Sequence, residues 1–221
     1  MICTGIRDSA IVPSGFMEIP GSGTQTGPVT RIVPLPWVLC LASASCSAQT
    51  LVIGLYDYSG LSAKDTVRLT EITNLVFTHS GIHLVWRHCR GALAVEPDPM
   101  CDAELQVNEI VVSLRPGGPP SSDSDRTLHM GHSIVTADGG AYVNIYVPAV
   151  RAQAVRFGLQ LDLLTGHAVA HEIGHCLLGP GHSYAGLMRR QWNSRDAAEM
   201  SRLGLHLTKS EARKAATRLV P

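Results

Sequence analysis

A surplus of charge of either sign is missing from this chain: 18 Lys and Arg balance 18 Asp and Glu, a formal net charge of +0 over 221 residues. Such a balance offers no electrostatic grip on nucleic acid or on an anionic membrane surface. Selection of a substrate is therefore expected to rest on pockets and main-chain pairing. No repeat of fixed period and no heptad pattern is visible, which excludes solenoids and coiled coils. The apolar run Ile32–Ala42 is shorter than the roughly 20 residues a membrane-spanning helix needs. Six cysteines in a chain of this length do not make a disulfide-dense scaffold. What is present is a hydrophobic content of 45%, enough for a real core. The length fits one domain, or one domain plus a targeting segment.

Residues 1–30 are rich in Gly, Ser, Thr and Pro and show neither helix nor strand period. They read as disordered, or as untranslated if Met17 is the start. Arg31, the apolar run Ile32–Ala42 and the small residues Ser43 to Ala48 then have the order of a secretory signal peptide. Cleavage is expected after Ala48, with Cys46 two residues before it. A buried strand and a lipid-anchored Cys46 are the alternatives, the latter disfavoured by Ser43. The expected division is thus a leader over 1–48 and a folded domain over 49–221. Export would make the domain secreted or extracytoplasmic, with no stable membrane insertion once the signal is removed.

Within the domain, residues 51–58 predict a central buried strand. The near-helical spacing of Val67, Leu69, Ile72, Leu75, Val76 and Phe77 predicts a helix over 62–78, closed by Ser80-Gly81. Residues 82–88 alternate and predict a second strand, making a parallel crossover unit. Cys89 and Cys101 bracket a loop with Gly91, Pro97 and Pro99. In an exported protein they are expected to form a disulfide, and to be free thiols otherwise. A third strand is expected over 105–114, a surface loop over 115–127, and a hairpin over 132–137 and 141–147 turning at Asp138-Gly139-Gly140. Pro148 is expected to end the hairpin, with 149–163 helical or a connector. Residues 189–204 carry no clear signal. Thr208 and Glu211 make a capping box that predicts a helix to about Leu219.

The chemistry is concentrated in residues 171–182. His171 and His175 stand four apart, so on a helix ending near Leu178 both imidazoles can reach one zinc ion. Glu172, about 100° round the helix, is placed to act on a metal-bound water. Gly179, Pro180 and Gly181 end the helix and turn the chain, which can bring in His182 as third ligand. Three ligands and an open position describe a catalytic zinc. His167 continues the four-residue spacing, but it lies about 12 Å from His175 along the axis and cannot share the ion. It is expected to pack or hydrogen-bond, and Cys176 to be a buried free thiol. His79, His83, His88, His129, His132 and His206 show no second ligand spacing.

These residues resemble the metzincin metallopeptidases, most of all the matrixins, whose pattern is H-E-x-x-H-x-x-G-x-x-H followed by a methionine-containing turn. His182-Ser183 resembles the matrixin His-Ser pair, and Gly186-Leu187-Met188 resembles the Met-turn, with Met188 as the apolar floor of the metal site. Gly179 and His182 fall one residue later than the pattern requires. The resemblance is specific over 167–188. It implies an α+β fold with a twisted mixed sheet, one antiparallel edge strand, an active-site helix carrying HExxH and a C-terminal helix. It also implies a zinc-dependent endopeptidase acting on protein or peptide substrates, with Glu172 as general base and residues 132–137 as the edge strand that holds substrate. Ser183 would shape the turn and Tyr184 could stabilise the oxyanion. Two alternatives stay open. A thermolysin-like site would take Glu199 or Asp196 as third ligand, and a non-catalytic zinc-binding module would keep the same fold.

Overall fold

The alternation Leu51, Ile53, Leu55 puts three large apolar side chains on one face of a strand, and all three are buried. That strand, β1 (Gln49–Asp57), is an interior strand of a five-stranded sheet whose order is β2 (Ile82–Arg90), β1, β3 (Glu109–Arg115), β5 (Ala141–Tyr146), β4 (Gly131–Val135). β2, β1, β3 and β5 run parallel, and β4 pairs antiparallel with β5 at the edge. This computed structural model describes residues 49–96, 98–118, 129–137 and 139–218. The expected leader and signal peptide, with Met17, Cys46 and the Ala48 cleavage point, lie outside the described residues. So do most of the 115–127 loop, Asp138 of the hairpin turn, and Leu219.

Five α-helices complete an α+β fold: α1 (Ala63–Thr78), α2 (Val147–Phe157), α3 (Leu161–Leu178), α4 (Ser194–Ser201) and α5 (Lys209–Arg218). Leu69, Val76 and Phe77 of α1 join Ala168, Val169 and Ile173 of α3 in one cluster with the buried face of β1. Thr73 of α1 donates its hydroxyl to Gly166 O of α3 at 3.1 Å, tying the two helices together. The opposite sheet face leaves Val85 and Tyr142 exposed. α3 packs against β4 and β5, which brings the face carrying His171, Glu172 and His175 to the sheet edge. Among the described residues, no helix is long and apolar enough to cross a membrane.

Several boundaries differ from the sequence expectation, each for a local reason. β3 begins at Glu109 rather than at residue 105. Asn108 takes a positive φ of 64°, and the Glu109 carboxylate accepts the Gln106 N–H at 3.0 Å, so residues 106–109 turn before the strand starts. Val147 belongs to a helix, not to the hairpin. Pro148 sits in the first turn of α2, where its missing N–H costs no bond. The 149–163 stretch is not one element: Gly158, at φ 66°, closes α2 and α3 starts at Leu161. In the unassigned 189–204 stretch, Asn193 and Asp196 form a capping box that starts α4. Cys89 and Cys101 form the expected disulfide, joining β2 to a short 3-10 turn over Pro99–Cys101. Closing that loop contributes about 3 kcal/mol on the chain-entropy account.

Candidate metal centre

His171 and His175 turn their rings toward each other on α3, with Nε2 to Nε2 at 3.1 Å. His171 Nδ1 lies 2.8 Å from Leu187 O, and His175 Nδ1 lies 3.0 Å from Gly179 O. A carbonyl can only accept, so each Nδ1 carries the proton and each Nε2 presents a bare lone pair. Two lone pairs facing at 3.1 Å repel unless a cation lies between them. Tetrahedral coordination at zinc–nitrogen lengths of about 2.0–2.1 Å puts neighbouring ligand atoms about 3.3 Å apart. Burial, the largest cause, holds the His171 imidazole down at about 4, so a shared proton does not fill this role near neutral pH. The carbonyls of Leu187 and Gly179 also fix ring orientation, as outer partners of metal-binding histidines do.

His182 completes the group. Its ring centroid is 4.7 Å from that of His175 and 5.6 Å from that of His171, and one ring nitrogen from each of the three lies within 4.8 Å of the others. Gly179 ends α3, donating its N–H to His175 O at 2.9 Å. The turn that follows is held from far along the chain. Ser183 N donates to Met188 O at 2.8 Å, and Ser183 Oγ donates to the buried Glu211 carboxylate. Glu211 also accepts the Thr208 N–H at 2.7 Å, so the capping residue of α5 doubles as an anchor for the turn. Leu187 N donates to His206 O at 2.9 Å. Leu187 O accepts from Trp192 Nε1 as well as from His171, and the Trp192 ring stands edge-on to His171 with centroids 5.5 Å apart. Met188 is 1% exposed beneath α3, and a Cβ on Gly174 would overlap its Sδ. Glycine is required there by close approach.

The rival third ligands are engaged elsewhere. The Asp196 carboxylate caps α4 by accepting the Asn193 N–H at 2.9 Å and pairs with Arg189 at 3.1 Å. Glu199 pairs with Arg202 at 3.5 Å. Among the described residues, the histidine trio is the group able to hold a metal ion. Neither Asp196 nor Glu199, the third ligands of the thermolysin-like alternative, belongs to that group. Tyr184 is corrected: at 99% exposed, its side chain stands in solvent and does not line the cleft. His167 is fully buried with Nδ1 2.9 Å from Leu163 O, away from the trio. Cys176 is a buried free thiol whose pKa burial pushes up to about 12.

Glu172 projects from α3 toward β4. Burial raises its carboxyl to about 7, and a hydrogen bond from Ser133 acts in the opposite direction. A Cβ on Gly131 would lie 2.9 Å from Glu172 Cγ, so only glycine lets the strand come this close. Tyr146 N bonds Met130 O and Thr136 N bonds Gly140 O, both at 2.8 Å. Even-numbered residues of β4 thus pair with β5, and the alternation of an antiparallel ladder aims the N–H and C=O of Gly131, Ser133 and Val135 at the open edge. Between that edge and the Trp192 segment lies a cleft of about 980 Å³ lined by all three histidines and Glu172. Gly131, Trp192, the bond from Ser133 to Glu172 and the reach of Glu211 to Ser183 were not read from sequence as parts of the site. Glu211 alone carried a signal, the capping box.

No family model matches the chain, and no curated protein matches it.

Proposed function

We propose that this chain is a zinc-dependent endopeptidase of metzincin type that cleaves extended protein or peptide substrates. The observation that carries the reading is the pair of bare Nε2 lone pairs facing at 3.1 Å with His182 beside them. Three neutral imidazole nitrogens, with no thiolate or second carboxylate, suit zinc, and three protein ligands leave a position open. The chemistry zinc supplies when bound is acidification of a water and polarisation of a carbonyl.

The chain's own residues account for the rest. Gly131, Ser133 and Val135 offer main-chain groups to an extended peptide, adding it to the sheet as a further strand. That lays the scissile carbonyl along α3, beside the trio. Glu172 takes the proton from the attacking water and returns it to the departing amine, so one carboxylate serves first as base and then as acid. Ser133 holds the Glu172 carboxylate in place through its hydroxyl. The carbonyls of Leu187 and Gly179 keep the two helical imidazoles in the tautomer that leaves Nε2 free. Export fits the Cys89–Cys101 disulfide, because such bonds persist in oxidising compartments.

Zinc content and casein cleavage of the wild type, Glu172→Ala and His182→Ala test the proposal. Glu172→Ala should keep its zinc and lose cleavage by roughly 10²–10⁴-fold. His182→Ala should lose both. Undiminished cleavage by Glu172→Ala would sink the mechanism, and a zinc-loaded wild type inert toward every peptide would make the chain a binding module of this fold.

A further inference from the structure

The cleft carries a charge pattern that metal binding does not require. Gly131 lies against Glu172, and Ser133 hydrogen-bonds to Glu172 and, one helical turn on, to Cys176. β4 and α3 therefore run in the same sense. Ala168, one turn before Glu172, lines the cleft, and so does the last turn of α2, which three residues separate from the start of α3. There Gln153 and Arg156, three residues apart and so on one helix face, line the cleft wall. Gln153 Oε1 is shielded from solvent and has no hydrogen-bond partner. Arg156 is exposed, its guanidinium 5.8 Å from the ring of its own neighbour Phe157, and it pairs with no carboxylate among the described residues. Among the described lining residues, Glu172 is the one carboxylate, alongside Arg156, Arg189 and Arg190. Asp196 compensates Arg189. With Glu172 counted as well, one guanidinium among the described lining residues stays uncompensated, in a chain that is neutral overall.

We propose that the α2 end of the cleft is a carboxylate-binding subsite, with Arg156 as its specificity-determining residue. It rests on the peptidase reading above and narrows it to peptides bearing a carboxylate on the α2 side of the scissile bond. Arginine suits this task because its planar fork meets both carboxylate oxygens at once. The carboxylate can come from an acidic side chain or from the end of a peptide chain, and the two sources separate experimentally.

The probes are acetylated, amidated fluorescent octapeptides in which one Glu is moved through an otherwise neutral sequence, with the neutral peptide in amidated and free-acid forms. Binding to zinc-loaded full-length Glu172→Gln protein is read by anisotropy, and cleavage by the wild type is read in parallel. At one Glu position, or with the free acid, affinity should exceed that of the neutral amide by roughly tenfold, the size of one charge-assisted contact. Adding Arg156→Gln should bring the ratio close to one, Arg156→Lys should restore part of it, and Arg156→Glu should invert it in favour of a Lys peptide. A response to the free acid alone assigns the subsite to chain ends, and a response to Glu assigns it to side chains. Equal binding of all probes, or a ratio indifferent to Arg156, overturns the proposal. If acidic peptides bind through Arg156 and the wild type cleaves nothing, the peptidase reading fails and the subsite stands. If every peptide is cleaved and bound alike, the subsite fails and the peptidase reading stands.

Discussion

His171 and His175 on one side, and His182 on the other, reach the same point in space by different physics. The helical pair is set by local geometry: four residues of α-helix bring two side chains onto one face whatever the rest of the chain does. His182 sits on an exposed turn with no regular structure of its own, and it is held by residues more than twenty positions away. Ser183 is fastened to Glu211, and Leu187 to His206. Met188 occupies the space that Gly174 leaves open. The candidate metal centre thus combines a rigid half specified by period with a half that depends on tertiary anchoring.

The comparison can be broken most forcefully at the ligands. His171→Ala and His182→Ala should each weaken zinc binding by roughly 10²–10³-fold, measured by competition with a chelating dye, and Glu199→Ala should leave it unchanged. Unaltered affinity in His182→Ala would remove the turn from the site. Next in size is Gly174→Ala, where a methyl is forced onto Met188; a loss of about 2–3 kcal/mol in urea unfolding is expected. Combined with Met188→Ala, the loss should be smaller than the sum of the two single losses, because the clash disappears. An additive result would mean that Met188 is not what Gly174 accommodates.

The helical half carries a pH-dependent cost at Glu172. In the folded, metal-free protein Glu172 titrates at about 7 against an ordinary 4.5, so the folded state holds a proton that the unfolded chain has released. Its contribution is therefore fully present below pH 4.5 and is lost as pH rises through 7. Glu172→Gln should match the wild type in stability at pH 4 and exceed it by about 3 kcal/mol at pH 8, as read by denaturant midpoints. A constant offset across that range would contradict the buried carboxyl. The smallest effect is expected at the anchor. Glu211→Gln keeps the shape but weakens the bonds to Ser183 and Thr208, costing about 1–2 kcal/mol. Zinc affinity should fall severalfold with it; stability loss alone would show that the anchor does not reach His182.

Legibility followed the same division. The first strand, helix α1 and the hairpin were readable because their burial repeats with the period of the element. Val147 was misread since proline reads equally as a strand terminator and as a first-turn helix residue. The helix Ser194–Ser201 was overlooked even though Asn193 and Asp196 spell its cap. Tyr184 was a reasonable candidate by position, but its side chain points away into solvent.

By itself, the sequence determined what short-range geometry can encode: an α+β alternation, a helix presenting His171, Glu172 and His175, a cap for α5, and a cysteine pair close enough to bond. Tertiary structure alone decided that His182 rather than Asp196 or Glu199 joins the pair, and that Gly131 brings a sheet edge onto Glu172. It also decided that Arg156 of α2 shares the cleft. The reason is distance along the chain. Helix period and capping act over a few residues, whereas the contacts that place His182, β4 and α2 join segments dozens of residues apart and exist only once the core has brought them together.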